Sequence, residues 1–443
     1  MIDHRVLGRE LELFCSDPLA GAGLPIWLPD GAAARHQIEG YVREEERRAG
    51  YHHVYSPPLG RRELYELSGH LEHFAEDMFP PMRLSRPAAE PAPGAEDGAA
   101  DVGDPGVGDP GVGDDELLLR PSLCPHHALV FRSRGRSYRE LPLRVGELGA
   151  MFRAERSGVL GGLSRVRAIS LNDAHIFCAP DQVAAEVAGV LALIRRAHAA
   201  LGVRAAGFRL SLRGPGDGFV ADPPMWDRAE GLLRQALVAA GVPFVEAPGE
   251  AAFYGPKIDV QIRDRLGREQ TLSTIQLDYA KPERFGLSYV DADGSRRRPV
   301  MVHRSVVGSM ERLFAHLIEV HAGAFPVWYA PVQLEVLPIG AAQPADAFAR
   351  AAVEAGLRVR VSERGSLAAR VRDSVRRRVP YVAVFGDREA ADGRVSLRLR
   401  DGRSLDPLPL SAALALIGRV VASRSPELLP PAGPAGDPAA ALS

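Results

Sequence analysis

From Pro331 onward the chain alternates between two periods, and few folds can hold that pattern. PVQLEVLPIG is strand-like, ADAFARAAVEAG helical, LRVRVSE strand-like and LAARVRDSVRRR helical. VPYVAVFGD and SLRLRDG then read as strands, and LSAALALIGRVVAS as a closing helix. Parallel strands need a crossover, usually a helix, so this alternation predicts a small α/β domain with a mostly parallel sheet over residues 329–425. The remaining N-terminal part, residues 1–328, is long enough to bury a core of its own.

That larger part mixes elements. IEGYVREEERRAG (38–50) reads as a charged helix, and HVYSPPL (53–59) as an extended segment broken by Pro57 and Pro58. Residues 181–202 form an amphipathic helix with Gly202 as its stop. FYGPKIDVQIRD (253–264) and TLSTIQLDYA (271–280) are hairpin strands joined by a DRLGRE turn. SVVGSMERLFAHLIEVHAGAF (305–325) reads as one long apolar helix. Residues 85–116 interrupt the pattern with a tandem VGDPG repeat, nine acids and one base. Such a stretch cannot bury enough apolar surface to offset ordering, which predicts a disordered acidic insertion. The tail, 426–443, reads the same way.

Charge and composition exclude some classes. The formal net charge of −2 rules out a globally basic nucleic-acid coat but leaves a local basic face open. Residues 331–425 hold 16 arginines against 10 acids. In RDSVRRR, Arg372, Arg376, Arg377 and Arg378 are either a solvated helix face or phosphate contacts. No uncharged apolar run approaches the roughly 18 residues of a membrane span, and MIDHRVLGRELELF is no signal peptide. Cys15, Cys124 and Cys178 make no disulfide framework, so a reducing cytoplasm is expected. Only two lysines, Lys257 and Lys281, stand against 52 arginines. Arginine cannot replace lysine where a compact ammonium is needed, so either could mark such a place.

No P-loop, dinucleotide fingerprint, G-x-S-x-G elbow or HExxH helix is present. Cys124-Pro125-His126-His127, His175 near Cys178, and His303 lack the paired short spacings of a structural zinc site. Arg153, Glu155, Arg165 and Arg167 flank a Gly-rich turn. They suit a polyphosphate, which a guanidinium fork binds in bidentate fashion, or else a salt-bridged hairpin. Arg312 lies near a helix start, after Gly308 and Ser309.

A dozen blocks, in order, carry a resemblance: DHRVLGRELELF, ELSGHLEHF, SLCPHH, SYRELPLRVGELG, FRAERSG, RVRAISLNDAHIFC, MWDRAE, PGEAAFYGPKIDV, STIQLDYAKPERFGLSYV, RPVMVHRSVVGSMERL, AGAFPVWYAPVQ and RRRVPYVAVFGDRE. The chain resembles threonyl-tRNA synthetases, which are class II aminoacyl-tRNA synthetases, from about residue 3 to about 422. The resemblance implies an α+β class II catalytic domain, an antiparallel sheet flanked by helices, followed by an α/β anticodon-binding domain. It implies ATP with Mg2+, L-threonine and tRNA(Thr) as ligands, and a homodimer built at the motif containing Pro57. Arg153 matches the arginine on the α-phosphate and substrate carboxylate, and Glu155 the reader of the adenine amino group. Arg165 matches the γ-phosphate arginine, and Arg312 the arginine stacked on adenine. Cys124, His175 and His303 match the ligands of one zinc ion per subunit, with an open position for threonine's amino and hydroxyl groups. Asp173 matches the acceptor of the threonine hydroxyl. Tyr254, Lys257, Thr274 and Gln276 match pocket residues, Gln276 also on the ATP side. His70 matches the histidine tied to transfer onto the ribose, and Glu389 and Arg398 match anticodon readers.

Several positions depart from the family pattern. Ser122 and Leu123 replace Met and Asn, Leu171 a Gln, Ala154 an Asn, Gly161 a His and Ser273 a Gly. Glu363-Arg364-Gly365-Ser366 replaces R-N-E-K, and no N-terminal editing domain is expected. The function expected is a threonine–tRNA ligase without editing in cis, for example a second, antibiotic-resistant copy. Two alternatives stay open: a paralogue activating a threonine-like amino acid for biosynthesis, and a non-catalytic class II-like regulatory module.

Overall fold

The structure is a computed structural model describing residues 3–83, 116–216, 218–340 and 342–430. Most of the acidic insertion and most of the tail lie outside the described residues. One sheet organises the N-terminal part. Its strands are β1 (His52–His53), β2 (Leu143–Phe152), β3 (Ala168–Cys178), β4 (Gly207–Leu212), β5 (Phe244–Pro248), β6 (Lys257–Arg263), β7 (Glu269–Asp278) and β8 (Val300–Ser305). They lie in the order β5-β4-β6-β7-β8-β3-β2-β1. The interior pairs are antiparallel, as expected, while the outermost pair at each edge is parallel.

The two faces of this sheet follow from its period of two. Ile258 and Val260 of β6, Ile275 and Leu277 of β7, Val300 and Val302 of β8, and Ala174 and Ile176 of β3 all enter the main core. Helices α1 (Pro29–Arg48), α2 (Cys124–Arg132), α3 (Val183–Leu201), α4 (Pro223–Ala239) and α5 (Met310–His321) surround the sheet. All except α2 send side chains into this core. The alternate residues therefore face the other way, and they include Asp173, His175, Lys257, Thr274, Gln276 and His303.

Two helices differ from expectation. α1 starts at Pro29, nine residues before the expected 38, because proline's fixed φ suits the first helical turn. The helix expected over 305–325 spans only Met310–His321. Val300–Ser305 is a strand, and Gly308 at φ +68° turns the chain before Ser309 Oγ caps the backbone N–H of Arg312. A continuous apolar run hides such a strand-to-helix junction, since period alone cannot separate the two.

The C-terminal part has strands β9 (Leu334–Pro338), β10 (Val359–Val361), β11 (Tyr381–Phe385) and β12 (Leu397–Leu399). Their order is β10-β9-β11-β12, parallel but for the last pair. Helices α6 (Ala342–Glu354), α7 (Leu367–Arg376), α8 (Asp387–Asp392) and α9 (Leu410–Ser423) accompany them, α8 being unexpected. The expected disorder is too wide at both margins. Glu116 opens strand Glu116–Leu119 and pairs with Arg62 and Arg83. Leu428 is buried, and its carbonyl accepts the Tyr381 hydroxyl at 2.7 Å. In RDSVRRR, Arg376 and Arg377 both engage Asp373, and Arg377 also reaches Glu12, so half of that basic run serves the fold.

Candidate active site

Cross-strand register assembles the site. Lys257 on β6 stands opposite Gln276 on β7, Gln276 opposite His303 on β8, and His303 opposite His175 on β3. Directly opposed residues share a face, so four candidates far apart in sequence form one transverse row. Asp173, two residues before His175, lies on that same face opposite Glu147. Cys124, the first residue of α2, closes over this row.

Cys124, His175 and His303 are all buried, and their ligand atoms lie within 4.8 Å of one another. His175 Nε2 faces His303 Nδ1 at 2.9 Å. The opposite nitrogen of each ring is occupied. His303 Nε2 meets Asp278 Oδ2 at 2.9 Å. His175 Nδ1 meets His127 Nδ1 at 2.7 Å, and His127 Nε2 reaches Glu147 at 3.2 Å. Burial drives the His175 pKa well below its ordinary value and that of His303 down as well, which favours the neutral ring that metal ligation requires. Burial also pushes the Cys124 thiol up to about 11. Two imidazoles and one thiol, with a supporting hydrogen bond behind each ring, are a donor set that could hold a divalent metal ion. Burial raises Asp173 to about 7. Asp278 stays near 2, because Lys281 and His303 outweigh its burial.

The arginines gather on the neighbouring side. Arg153 follows directly on β2, with its backbone N–H on the Arg167 carbonyl at 3.0 Å. The residue is exposed, yet neighbouring atoms desolvate its guanidinium and lower its pKa. Desolvation lowers Arg312 too, and the repulsion of Arg153 and Arg165 adds to it. Arg153, Arg165 and Arg312 are thus close enough to repel one another, an arrangement an anion would relieve. Arg312 is anchored through Ser164 O (3.3 Å) and Thr271 O (2.9 Å). Arg165 pairs with Glu155 at 2.7 Å, so these two expected nucleotide contacts hold each other.

Around the row, the Tyr254 hydroxyl donates to Gln276 Oε1, and its ring stacks on His303 with centroids 5.1 Å apart. Gln276 donates to Thr274 Oγ1 at 3.1 Å, and Lys257 pairs with Asp259 at 2.7 Å. His70 is buried between two hydroxyls, with Ser68 Oγ at Nδ1 and Ser122 Oγ at Nε2, both at 2.7 Å. The departure at Ser122 thus lies against His70, with Cys124 Sγ also 3.1 Å away. Sequence reasoning missed Asp278, Glu147 and His127 as supports. Their strand parity and the helical step from Cys124 were the available signals. Three expected residues lie apart from the cleft. Glu389 caps the Gly386 N–H on α8, Arg398 is exposed on β12, and Pro57 is exposed before Leu59–Arg61.

The family described as "tRNA synthetase class II core domain (G, H, P, S and T)" matches residues 109–321, and "Anticodon binding domain" matches 333–419. A solved structure titled as the RNA binding domain of threonyl-tRNA synthetase from Cryptosporidium parvum is 33% identical, with a TM-score of 0.82. It covers 94% of this chain and 97% of its own. The chain belongs to the threonyl-tRNA synthetase family. A structure titled putative threonyl-tRNA synthetase ThrRS-1 from Aeropyrum pernix has TM-score 0.75 at 25% identity, covering 97% of this chain and 98% of that one. The threonine–tRNA ligase of Geobacillus sp. (strain WCH70) is 44% identical over 94% of this chain. The chain spans 61% of that family member's length.

Proposed function

We propose that this chain is a threonine–tRNA ligase, activating L-threonine with ATP and Mg2+ and transferring it to the terminal ribose of tRNA(Thr). The observation that carries it is the buried Cys124–His175–His303 triad linked to the Arg153–Arg165–Arg312 cluster through Tyr254, which stacks on His303 and lies within electrostatic reach of Arg153. Cys124, His175 and His303 would hold a zinc ion, which would supply a Lewis acid for an amino and a hydroxyl group of the substrate. Valine, nearly isosteric with threonine, would offer neither the ion nor Asp173 a hydroxyl. Asp173 accepts the hydroxyl hydrogen bond, while Tyr254, Gln276, Thr274 and Lys257 form the polar wall that orients the amino acid. Arg153 holds the α-phosphate against the threonine carboxylate, placing the attacking oxygen in line. Arg312 and Arg165 hold the adenine and γ-phosphate ends, and Glu155 reads the adenine amino group once nucleotide displaces Arg165. Charge developing on the α-phosphate is stabilised by guanidinium groups fixed in advance, which limits reorganisation at the moment of reaction. His70, held by Ser68 and Ser122, faces the transfer step.

The two parts divide the work. Residues 1–328 carry the chemistry, and 329–425 bind the anticodon through Glu389 and Arg398. Pro57, exposed, lies at the homodimer interface. Charging of tRNA(Thr) with labelled threonine by the full chain tests the reading. Charging that fails in Cys124→Ala, His303→Ala and Arg153→Ala variants that still fold supports it. A wild-type chain that cannot charge this tRNA overturns it.

A further inference from the structure

Lys281 is the second of the two lysines, and the mechanism above gives it no step. It lies on the short helix Ala280–Arg284 after β7 and is 1% exposed. Its Nζ is 3.1 Å from Asp278 Oδ2 and 3.4 Å from the Tyr254 ring centroid, with Phe253 at 5.3 Å. The Asp278 oxygen it holds is the one that backs His303. The other Asp278 oxygen takes the backbone N–H groups of Ala280 (2.9 Å) and Lys281 (2.8 Å). A buried ammonium is costly unless paired, and here a carboxylate and an aromatic face compensate it.

We propose that Lys281 is a positioning residue that weakens the triad's hold on its divalent cation. Two effects act in the same direction. A carboxylate behind a ligating imidazole strengthens that ligand, and an ammonium on the same oxygen withdraws part of the support. A fixed positive charge beside the triad also repels an incoming divalent ion, strongly so in a low-dielectric interior. Loss of the thiol proton on loading removes one charge while the ion brings two, so the site still becomes more positive. The lysine thus leaves the bound ion easier to exchange than a neutral side chain would.

The inference rests on the reading of the triad as a zinc site, and the test separates the two. Zn2+ is titrated into metal-free full-length protein against a chromophoric chelator, for wild type, Cys124→Ala, Lys281→Met and Lys281→Gln. Wild type is expected to bind one zinc, and Cys124→Ala none. Lys281→Met and Lys281→Gln should each hold zinc roughly tenfold or more tighter. Asp278 keeps His303 and two backbone donors in both variants, so both should fold; if one does not, the other carries the test. Affinity unchanged or weaker in the folded variants, with wild type still binding one zinc, overturns the role of Lys281. Wild type without Cys124-dependent zinc overturns the triad reading, and the inference with it.

Discussion

Ser273 shows how one substitution is absorbed at the scale of a residue. Its hydroxyl, absent from the family's glycine, donates to the Val306 carbonyl at 2.5 Å. With its single proton spent there, Oγ accepts from His198 Nε2–H at 2.8 Å, which fixes the tautomer of that ring. Both partners are buried, so Ser273→Gly should cost about 1–3 kcal/mol by leaving them unpaired, measurable by urea unfolding. Burial holds His198 near pKa 4 against an ordinary 6.5. The unfolded chain then takes up a proton before the folded one does. Stability from this residue is therefore complete above pH 6.5 and falls as pH drops toward 4. His198→Gln should lessen the loss between pH 6.5 and 4 by about 3 kcal/mol, read from unfolding curves at the two pH values.

Elements, rather than single residues, decide what could be read in advance. Gly308 allows β8 to end and α5 to begin within a few residues. It holds φ +68°, and a Cβ there would meet the Leu272 carbonyl oxygen at 2.5 Å. Gly308→Ala should shift the start of α5, and with it Arg312. A displacement near 1 Å can cost about 100-fold in rate, so kcat/KM for ATP should fall far more than thermal stability. The hairpin 253–280, the helix 181–202 and the α/β alternation after residue 330 were legible because their periods are clean and their stops are turn residues. The junction at 305–310 was not, because apolar residues continue through a change of element. The Cys124–His175–His303 cluster was legible as a unit only through family resemblance, since its residues come from one helix and two strands with no short spacing. Register between strands joins His175 to His303, and register is a property of pairing that no local pattern states. Lys281 was visible as an oddity of composition; its place behind His303 needed the fold.

For the whole molecule, the joint between the two parts is the 3-10 turn Val327–Tyr329. Val327 belongs to the C-terminal core, whereas Trp328 and Tyr329 belong to the N-terminal one. Trp328 packs edge-on to Tyr41, donates to the Ala200 carbonyl at 3.2 Å and lies under Arg424. Ion pairs Arg360–Asp30 and Arg377–Glu12 cross the same joint at 2.8 and 2.9 Å. Half-exposed pairs contribute little, about 0–1 kcal/mol each, so the packing of the C-terminal part, with Arg424, onto the Tyr41 and Trp328 rings matters more. Trp328→Ala should cost about 3–5 kcal/mol and split thermal unfolding into two transitions by calorimetry. Among the described residues no helix is long and apolar enough to cross a membrane.

On the proposed reading, the triad and the arginine cluster together select and activate threonine. Amino-acid-dependent ATP–pyrophosphate exchange by the zinc-loaded full chain tests it most directly, with threonine, serine, valine and other β-hydroxy amino acids compared. Exchange should strongly prefer threonine over valine and be lost in Cys124→Ala and Arg153→Ala. Exchange driven best by a different β-hydroxy amino acid, or none with any of them, would contradict it.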